Sequence, residues 1–419
     1  MKYLKGLKIS ELYYPLVVIA YFATLLFAQA RPGVIGAVLM AAVIAQLFIE
    51  KQVRLTGIAD VMALAFFSYQ VISVIWLLLG GYPFSVFANE FVSSTLPMVF
   101  YFAGKSAGDS PAKWYRSYIL SMLILGGLGL LLYIWAPQFY ITWSYDWSYI
   151  SKADAATMRV RMNSVVGSTC LSFLMVAGML VGAYFLGNDE KNARGPEADD
   201  DGRASRKGPG NIVYAVVSIA ACLLFAILAN QRSGLVAAIL VILYVNYLLF
   251  FQLHVIPKKY LRYEILIVVI ALGAISIINF DYILKFWYRI ISLPGAVSER
   301  SEQWVAAVNN MYSFWTGNGL GANGHRALGI EGAHVIADGG LVKMYCENGI
   351  FGFSLWVYLM YLLLSKGVKN IREHYVEVGI LAIGILQSIG SNMLAFQICA
   401  PVFWFAAGRI AYDKCDRIS

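Results

Sequence analysis

The sequence predicts an all-α protein that crosses a membrane many times. Of its 419 residues, 60% are hydrophobic and only 13% are charged, which is not the composition of a soluble domain of this size. A transmembrane helix needs about 20 mostly apolar residues, and runs of that length recur along nearly the whole chain. The positions of lysine and arginine between these runs give an independent check on the prediction.

The apolar runs predict about twelve transmembrane helices in a single integral-membrane domain, 1–419. They lie near 13–30, 33–50, 58–79, 84–103, 115–136, 164–186, 212–229, 233–251, 263–280, 341–364, 376–394 and 397–411. With both termini cytoplasmic, this alternation places 22 of the 32 lysines and arginines in cytoplasmic segments. The net charge of +8 therefore belongs to the inner face, and we expect no nucleic-acid partner.

Three segments between the predicted helices are long enough to note. Residues 137–162 form a small outer loop rich in aromatic side chains, which favours an interfacial belt or, alternatively, stacking against sugar rings. Residues 187–211 are polar, rich in Gly and Pro and of mixed charge, which is typical of a flexible cytoplasmic loop. Residues 281–341 form a large outer loop before the tenth helix, and this loop carries most of the ionisable groups outside the cytoplasmic segments.

The large outer loop is the first candidate for a functional site. Residues 298–314 show the pattern of an amphipathic helix, with Ser298 as its cap and Arg300 in its first turn. A cation in the first turn opposes the helix dipole, which favours a specific anionic partner for Arg300. Four glycines, at 317, 319, 321 and 324, then predict a flexible loop that ends at His325.

Two charged residues at or inside the predicted membrane helices stand out. Arg232 lies in a short outer turn between two long apolar helices. Arginine binds phosphate oxygens in a bidentate manner, so Arg232 is a candidate for an anionic ligand, unless it pairs with a carboxylate such as Glu90. Glu90 lies within the fourth predicted helix, where a carboxylate is a functional candidate by default. It serves either as a buried counter-ion for an outer arginine or as part of a substrate or proton path.

Neither a metal nor a cofactor is expected. The five cysteines show no ligand or disulfide spacing, and four of them lie in or beside apolar runs, which favours a role as small apolar core residues. The outer acidic residues and histidines also lack a recognisable metal-ligand spacing.

Several loose motifs occur in a fixed order along the second half of the chain. They are Gln231-Arg232-Ser233-Gly234 after an apolar helix, Ser-x-Arg-x-x-x-Trp at Ser298, Arg300 and Trp304, Gly-x-Gly-x-Gly at Gly317, Gly319 and Gly321, and Asp-x-x-Leu-x5-Glu-x-Gly-x-x-Gly from Asp338 to Gly352. Together with the helix count and the position of the large loop, these motifs make the chain resemble the O-antigen polymerase and O-antigen ligase superfamily. Ligases of this superfamily usually carry His where this chain has Asp338, so the polymerases are the better match.

The resemblance implies a glycosyltransferase of the bacterial inner membrane that joins undecaprenyl-pyrophosphate-linked oligosaccharides on the periplasmic side. Membrane lipid is a second expected partner, and a chain-length regulator is a possible third. The catalytic residues implied are Asp338 as first choice of base, His334 and His325 as the next choices, and Arg232 and Arg300 as stabilisers of the leaving pyrophosphate. Binding of pyrophosphate or glycan is assigned to Arg161, Arg159, Arg326, Glu299, Glu90 and Glu347.

Two other functions stay open at this stage. An O-antigen ligase would transfer finished glycan to the lipid A core. A polysaccharide transporter or flippase would show internal repeats and helices interrupted near the bilayer midplane, and neither feature is evident in the sequence.

Overall fold

The structure is a computed structural model that describes residues 8–27, 31–108, 110–135, 162–193, 210–252 and 293–412. Every regular element in these ranges is a helix. The α-helices are α1 (Ile9–Leu26), α2 (Pro32–Ile49), α3 (Ile58–Ile72), α4 (Val74–Leu79), α5 (Phe84–Glu90), α6 (Val99–Ser106), α7 (Ala112–Trp135), α8 (Ser168–Ala193), α9 (Gly210–Ala229), α10 (Arg232–Tyr247), α11 (Leu293–Asn309), α12 (Gly340–Lys369), α13 (Ile371–Gly390) and α14 (Ala400–Ala411).

Eight helical stretches in these ranges are long and apolar enough to cross a membrane. They are Ile9–Leu26, Pro32–Ile49, Ile58–Leu79, Ala112–Trp135, Ser168–Leu186, Ile212–Ala229, Arg232–Gln252 and Gly340–Lys369. The prediction of an all-α, multi-pass membrane protein is therefore confirmed. The predicted ninth helix, 263–280, lies outside the described residues.

The fourth predicted helix, 84–103, is not continuous. After α5 the chain forms a π-helical turn at Phe91–Thr95 and a 3-10 turn at Leu96–Met98 before α6 begins. Pro97 lies in the 3-10 turn and has no backbone N–H, so a regular α-helix cannot run through this position without losing a hydrogen bond.

The last two predicted helices are also separated by a long irregular segment. Helix α13 ends at Gly390, Ser391 is extended at φ −159° and ψ 156°, and α14 begins only at Ala400. Between them, Met393–Ala395 forms one 3-10 turn. This segment is largely buried, so its backbone polar groups must find partners within the protein.

The core is formed by helices that approach one another closely at small residues. A Cβ at Gly408 of α14 would lie 1.7 Å from the carbonyl oxygen of Tyr101 in α6, and a Cβ at Gly104 would lie 2.1 Å from that of Phe405. Such close backbone contact is typical of helix packing in membranes. Helix α8 is the most buried of the eight apolar stretches: 83% of its membrane-length apolar part is buried inside the protein.

Four of the five cysteines are buried as free thiols, which confirms the prediction that they are core residues. These are Cys170, Cys222, Cys346 and Cys399. Cys415 lies outside the described residues.

Candidate functional site

The site is organised around a break in α12. Gly349 has φ 59° and ψ −170°, a conformation that is essentially restricted to glycine. In an uninterrupted helix the N–H groups of Ile350 and Phe351 would bond to carbonyls four residues earlier. Here they donate instead to the carbonyl oxygens of Phe314, at 3.0 Å, and Trp315, at 3.2 Å.

The two carbonyls released by this break are satisfied by the same neighbouring loop. The carbonyl of Cys346 accepts from the N–H of Asn318, and that of Glu347 accepts from the N–H of Gly319, both at 2.9 Å. Residues 314–319 thus replace part of the hydrogen-bond ladder of α12. A polar backbone at membrane depth is tolerated when it is paired within the protein in this way.

The glycine-rich loop was predicted to be flexible, and this prediction is wrong. Residues 317–324 are buried, and the glycines allow close approach of backbones rather than mobility. A Cβ at Gly317 would lie 2.5 Å from the backbone of Glu347, and a Cβ at Gly319 would lie 2.5 Å from the backbone nitrogen of Leu77. The loop is therefore wedged between α4 and the break in α12.

A buried charge cluster lies where this loop meets α5 and α12. The ammonium group of Lys343 forms an ion pair with Glu90 and lies 3.5 Å from the carboxylate of Glu347. The three side chains are only 3–6% exposed. Oε1 of Glu347 also accepts a hydrogen bond from the N–H of Asn323 at 3.3 Å. The cluster thus joins α5, α12 and the glycine-rich loop.

This cluster bears on the two sequence interpretations of Glu90. The counter-ion of Glu90 is Lys343, so the alternative pairing of Glu90 with Arg232 or another outer arginine is wrong. Glu90 is the last residue of α5, at the start of the irregular turns that interrupt the fourth predicted helix. Its position on the wall of a cavity fits the other interpretation, a substrate or proton path.

The cavity beside the cluster has a volume of about 240 Å³. Glu90 and Lys343 form part of its wall, and His325 and Arg326, both exposed, lie at its mouth. The rest of the wall is Tyr21, Gly33, Ser93, Asn392, Ala395, Phe396 and Gln397. Three predicted site residues, Glu90, His325 and Arg326, therefore meet Lys343 around one cavity.

A smaller cavity of about 50 Å³ adjoins the first and shares Lys343, Asn392 and Ala395 with it. Its wall includes three buried polar atoms without hydrogen-bond partners, Oε1 of Gln70, Oδ1 of Asn392 and Nε1 of Trp356. Glu347 lies on the same wall. The polar surface of the site therefore continues past Lys343 into this second cavity.

The predicted base Asp338 is paired with Arg300. Nη2 of Arg300 donates to Oδ2 of Asp338 at 2.8 Å, and the two side chains are 37% and 38% exposed. The indole N–H of Trp304 donates to the carbonyl oxygen of Asp338 at 2.7 Å. Gly339 has φ 129°, and a Cβ there would lie 2.5 Å from the indole of Trp304. The Ser-x-Arg-x-x-x-Trp and Asp-Gly motifs thus form one unit.

The helix that carries Arg300 differs from its predicted bounds. Helix α11 runs from Leu293 to Asn309, whereas residues 298–314 were expected, so Ser298 lies inside the helix and is not its cap. The chain beyond Asn309 is drawn into the loop that replaces the α12 ladder, which explains the earlier end.

The two predicted histidines occupy different places. His325 begins a 3-10 turn at the cavity mouth. His334 is half-buried, and its carbonyl oxygen accepts from the side chain of Asn323 at 2.8 Å. His334 is not part of the cavity wall.

Arg232 does not line the cavity. It is the first residue of α10, half-buried, after Asn230 in a left-handed conformation at φ 49°. Arg159 and Arg161 lie outside the described residues. Glu299 lies in α11, and its side chain is outside the described part of the chain.

Sequence reasoning gave no role to several residues that build the site. The amide of Asn392 lies in the irregular segment between α13 and α14 and donates to the carbonyls of Ile336 and Ala337 at 2.9 and 3.1 Å. Gln397 lines the cavity and donates to the carbonyl of Gly33 at 3.1 Å. The sequence Gly390-Ser391-Asn392 is a helix-stop signal that could have revealed this segment.

Neither a comparison with models of known protein families nor one with curated proteins finds a match for this chain. The described residues contain no group of three or more His, Cys, Asp or Glu side chains placed to hold a metal ion.

Proposed function

We propose that this protein is a polymerase of surface polysaccharide, a membrane glycosyltransferase that joins undecaprenyl-pyrophosphate-linked repeat units. In this proposal it lies in the bacterial inner membrane with both termini cytoplasmic and the cavity on the periplasmic side. The observation that supports it most is the 240 Å³ cavity, where a buried lysine with two carboxylates meets the exposed His325 and Arg326. The motif resemblance to O-antigen polymerases supplies the substrate class.

The proposed reaction needs charge stabilisation and a base. The acceptor hydroxyl attacks the anomeric carbon of the donor, the bond from that carbon to the pyrophosphate oxygen breaks, and the pyrophosphate leaves as an anion. Preorganised cations in a partly desolvated site stabilise such a developing charge. Arg326, which lines the cavity, and Arg300 in α11 are our candidates for this role. Arg232 keeps a role only if the donor extends beyond the cavity to α10.

The base has to lie within hydrogen-bond reach of the acceptor hydroxyl. The sequence favoured Asp338, then His334 or His325. Asp338 shares its Oδ2 with Arg300, and neither Asp338 nor His334 lies on the cavity wall. Of these three residues, His325 alone lines the cavity.

Inactivation of the gene in its host tests the proposal. A polymerase defect leaves a single repeat unit on the lipid A core, and the long ladder of surface glycan disappears from a gel. Bare core with polymer accumulating on undecaprenyl pyrophosphate contradicts the proposal and identifies a ligase.

One structural feature favours a second candidate function, transport of the lipid-linked glycan. The sequence showed no interrupted helices, yet α12 is broken at Gly349, the segment 91–98 interrupts the fourth predicted helix, and the irregular segment 391–399 separates the last two. Discontinuous helices around a central site are typical of transporters. Repeat units trapped on the cytoplasmic leaflet of the inactivated strain identify transport instead.

A further inference from the structure

Glu90 lies on the cavity wall, where a base could accept the proton of the acceptor hydroxyl. One carboxylate oxygen, Oε1, accepts from Lys343, and the second oxygen, Oε2, has no hydrogen-bond partner among the described residues. Glu90 lines the 240 Å³ cavity, whereas Asp338 does not. A carboxylate with one oxygen fixed and the other free can accept a proton without losing its orientation.

The lysine that fixes this oxygen is itself held from two sides. Lys343 lies between Glu90 and Glu347, so its ammonium group is positioned by both carboxylates. Glu347 is itself held by the N–H of Asn323 and, through its own carbonyl, by the N–H of Gly319. The interlocked glycine-rich loop therefore sets the place of Lys343, and Lys343 sets the place of Glu90.

The burial of the cluster favours binding of a hydroxyl group at Glu90. Two carboxylates share one ammonium group, and all three side chains are buried. A buried polar atom without a hydrogen-bond partner is costly, so the free oxygen of Glu90 favours binding of a hydrogen-bond donor such as a hydroxyl group. Glu90 lines the cavity, so a hydroxyl group can approach its carboxylate from there.

We infer that Glu90 is the general base of the proposed glycosyl transfer, and that Lys343 and Glu347 are its positioning residues. This inference rests on the proposed function. The acceptor O–H bond breaks as the oxygen bonds to the anomeric carbon, the proton passes to Oε2 of Glu90, and the electron pair of the cleaved bond leaves with the pyrophosphate. Glu90 then returns the proton to water through the cavity.

The test measures chain extension by purified protein in lipid vesicles that contain undecaprenyl-pyrophosphate-linked repeat units. Glu90→Gln should slow extension by about 10²–10⁴-fold, the usual contribution of a general base. Asp338→Asn should slow chain extension by less than about tenfold, because Asp338 does not line the cavity. Glu50→Gln, an exposed carboxylate at the end of α2, is the matched control and should leave the rate unchanged.

Chemical rescue separates a base from a structural carboxylate. Added formate should restore extension to Glu90→Ala, because the cavity admits a small carboxylate beside Lys343, and it should not accelerate the unaltered protein. Lys343→Arg, which keeps the cation, should retain more activity than Lys343→Met. Should Glu90→Ala fail to fold, Glu90→Asp decides: it keeps the carboxylate and should keep the pH–rate profile of the unaltered protein.

The outcomes are distinct. Extension by Glu90→Gln at the rate of the control overturns the assignment of Glu90 and leaves the proposed function intact. Loss of extension in a folded Glu90→Ala protein without formate rescue also overturns Glu90 as base. An unaltered protein that extends no glycan overturns the proposed function itself, and the inference falls with it.

Discussion

Two groups of paired charges near the start of α12 differ sharply in environment. Arg300 and Asp338 form an isolated pair whose side chains are more than a third exposed. Lys343 forms a cluster with Glu90 and Glu347 whose members are at most 6% exposed. Exposed pairs contribute little to folding because water screens them, whereas a buried pair is costly to break.

The difference separates two kinds of contribution to the site. The exposed pair can exchange its partners, so either member can turn to a charged substrate at small cost. The buried cluster cannot rearrange in this way, and it fixes the positions of α5, α12 and the glycine-rich loop relative to one another. We therefore expect changes in the cluster to affect folding and activity together, and changes in the exposed pair to affect activity almost alone.

The largest effect is expected from Lys343→Met. It leaves two buried carboxylates without their cation, and removal of one member of a buried pair lowers the free energy of unfolding by about 3–5 kcal/mol. Thermal unfolding in detergent measures the change. Lys369→Met, an exposed lysine at the end of the same helix, is the control and should change stability by less than about 0.5 kcal/mol.

A triple variant sharpens this prediction. Glu90→Gln, Lys343→Met and Glu347→Gln together remove every charge of the cluster, and replacing a whole buried cluster is often nearly neutral. Most of the stability lost in Lys343→Met should return. A triple variant as unstable as the single one would show that the lysine stem, rather than the charge, holds the site.

The next effect is expected from Gly349→Ala. The positive φ is unfavourable for alanine, and the added Cβ would lie 2.4 Å from the carbonyl oxygen of Trp315. Strain of this kind lowers the free energy of unfolding by about 1–3 kcal/mol. Gly127→Ala is the matched control, because Gly127 lies in α7 with open space around it. Equal unfolding temperatures for the two variants would contradict the interlocked arrangement.

A smaller effect is expected from Trp304→Phe. The change keeps the aromatic ring but removes the N–H that donates to the carbonyl of Asp338, at a cost of about 1 kcal/mol. Trp135→Phe, at an exposed position in α7, is the control and should leave the free energy of unfolding unchanged. If the two variants have the same stability, this hydrogen bond does not hold the start of α12.

The class of fold was predictable from sequence, because apolar runs of membrane length require helices. The interruptions were not, since hydropathy records how apolar a segment is and not whether its backbone is regular. Segment 391–399 is irregular but largely buried, and segment 91–98 is irregular but half-buried to buried, so hydropathy does not distinguish them from helices. Pro97 and Gly390-Ser391-Asn392 were the only local signals.

The candidate site was predictable as a set of residues but not as an arrangement. Arg300 and Asp338 were both named, yet their ion pair depends on how α11 packs beside the start of α12. Glu90 and Lys343 are 253 positions apart in sequence, so nothing local indicates that they pair. The glycines were assigned to flexibility, because only the structure shows which backbones they touch.

The smallest effect on folding is expected from the exposed pair. Arg300→Ala should change the free energy of unfolding by about 0–1 kcal/mol, since the pair is solvated. Its rate of glycan extension should nevertheless fall by about 10²–10³-fold if the guanidinium stabilises the leaving pyrophosphate. Arg31→Ala, an exposed arginine before α2, is the control for both measurements. Normal polymer length with Arg300→Ala, in protein that reaches the membrane, would remove this role.

The most direct test of the central proposal is a measurement on purified, unaltered protein in vesicles without an ion gradient. Lipid-linked repeat units are supplied on both leaflets, and the length of the lipid-linked glycan is followed over time. We expect the glycan to lengthen with release of undecaprenyl pyrophosphate. Repeat units that cross the bilayer without lengthening would contradict the proposal and identify the interrupted helices as those of a transporter.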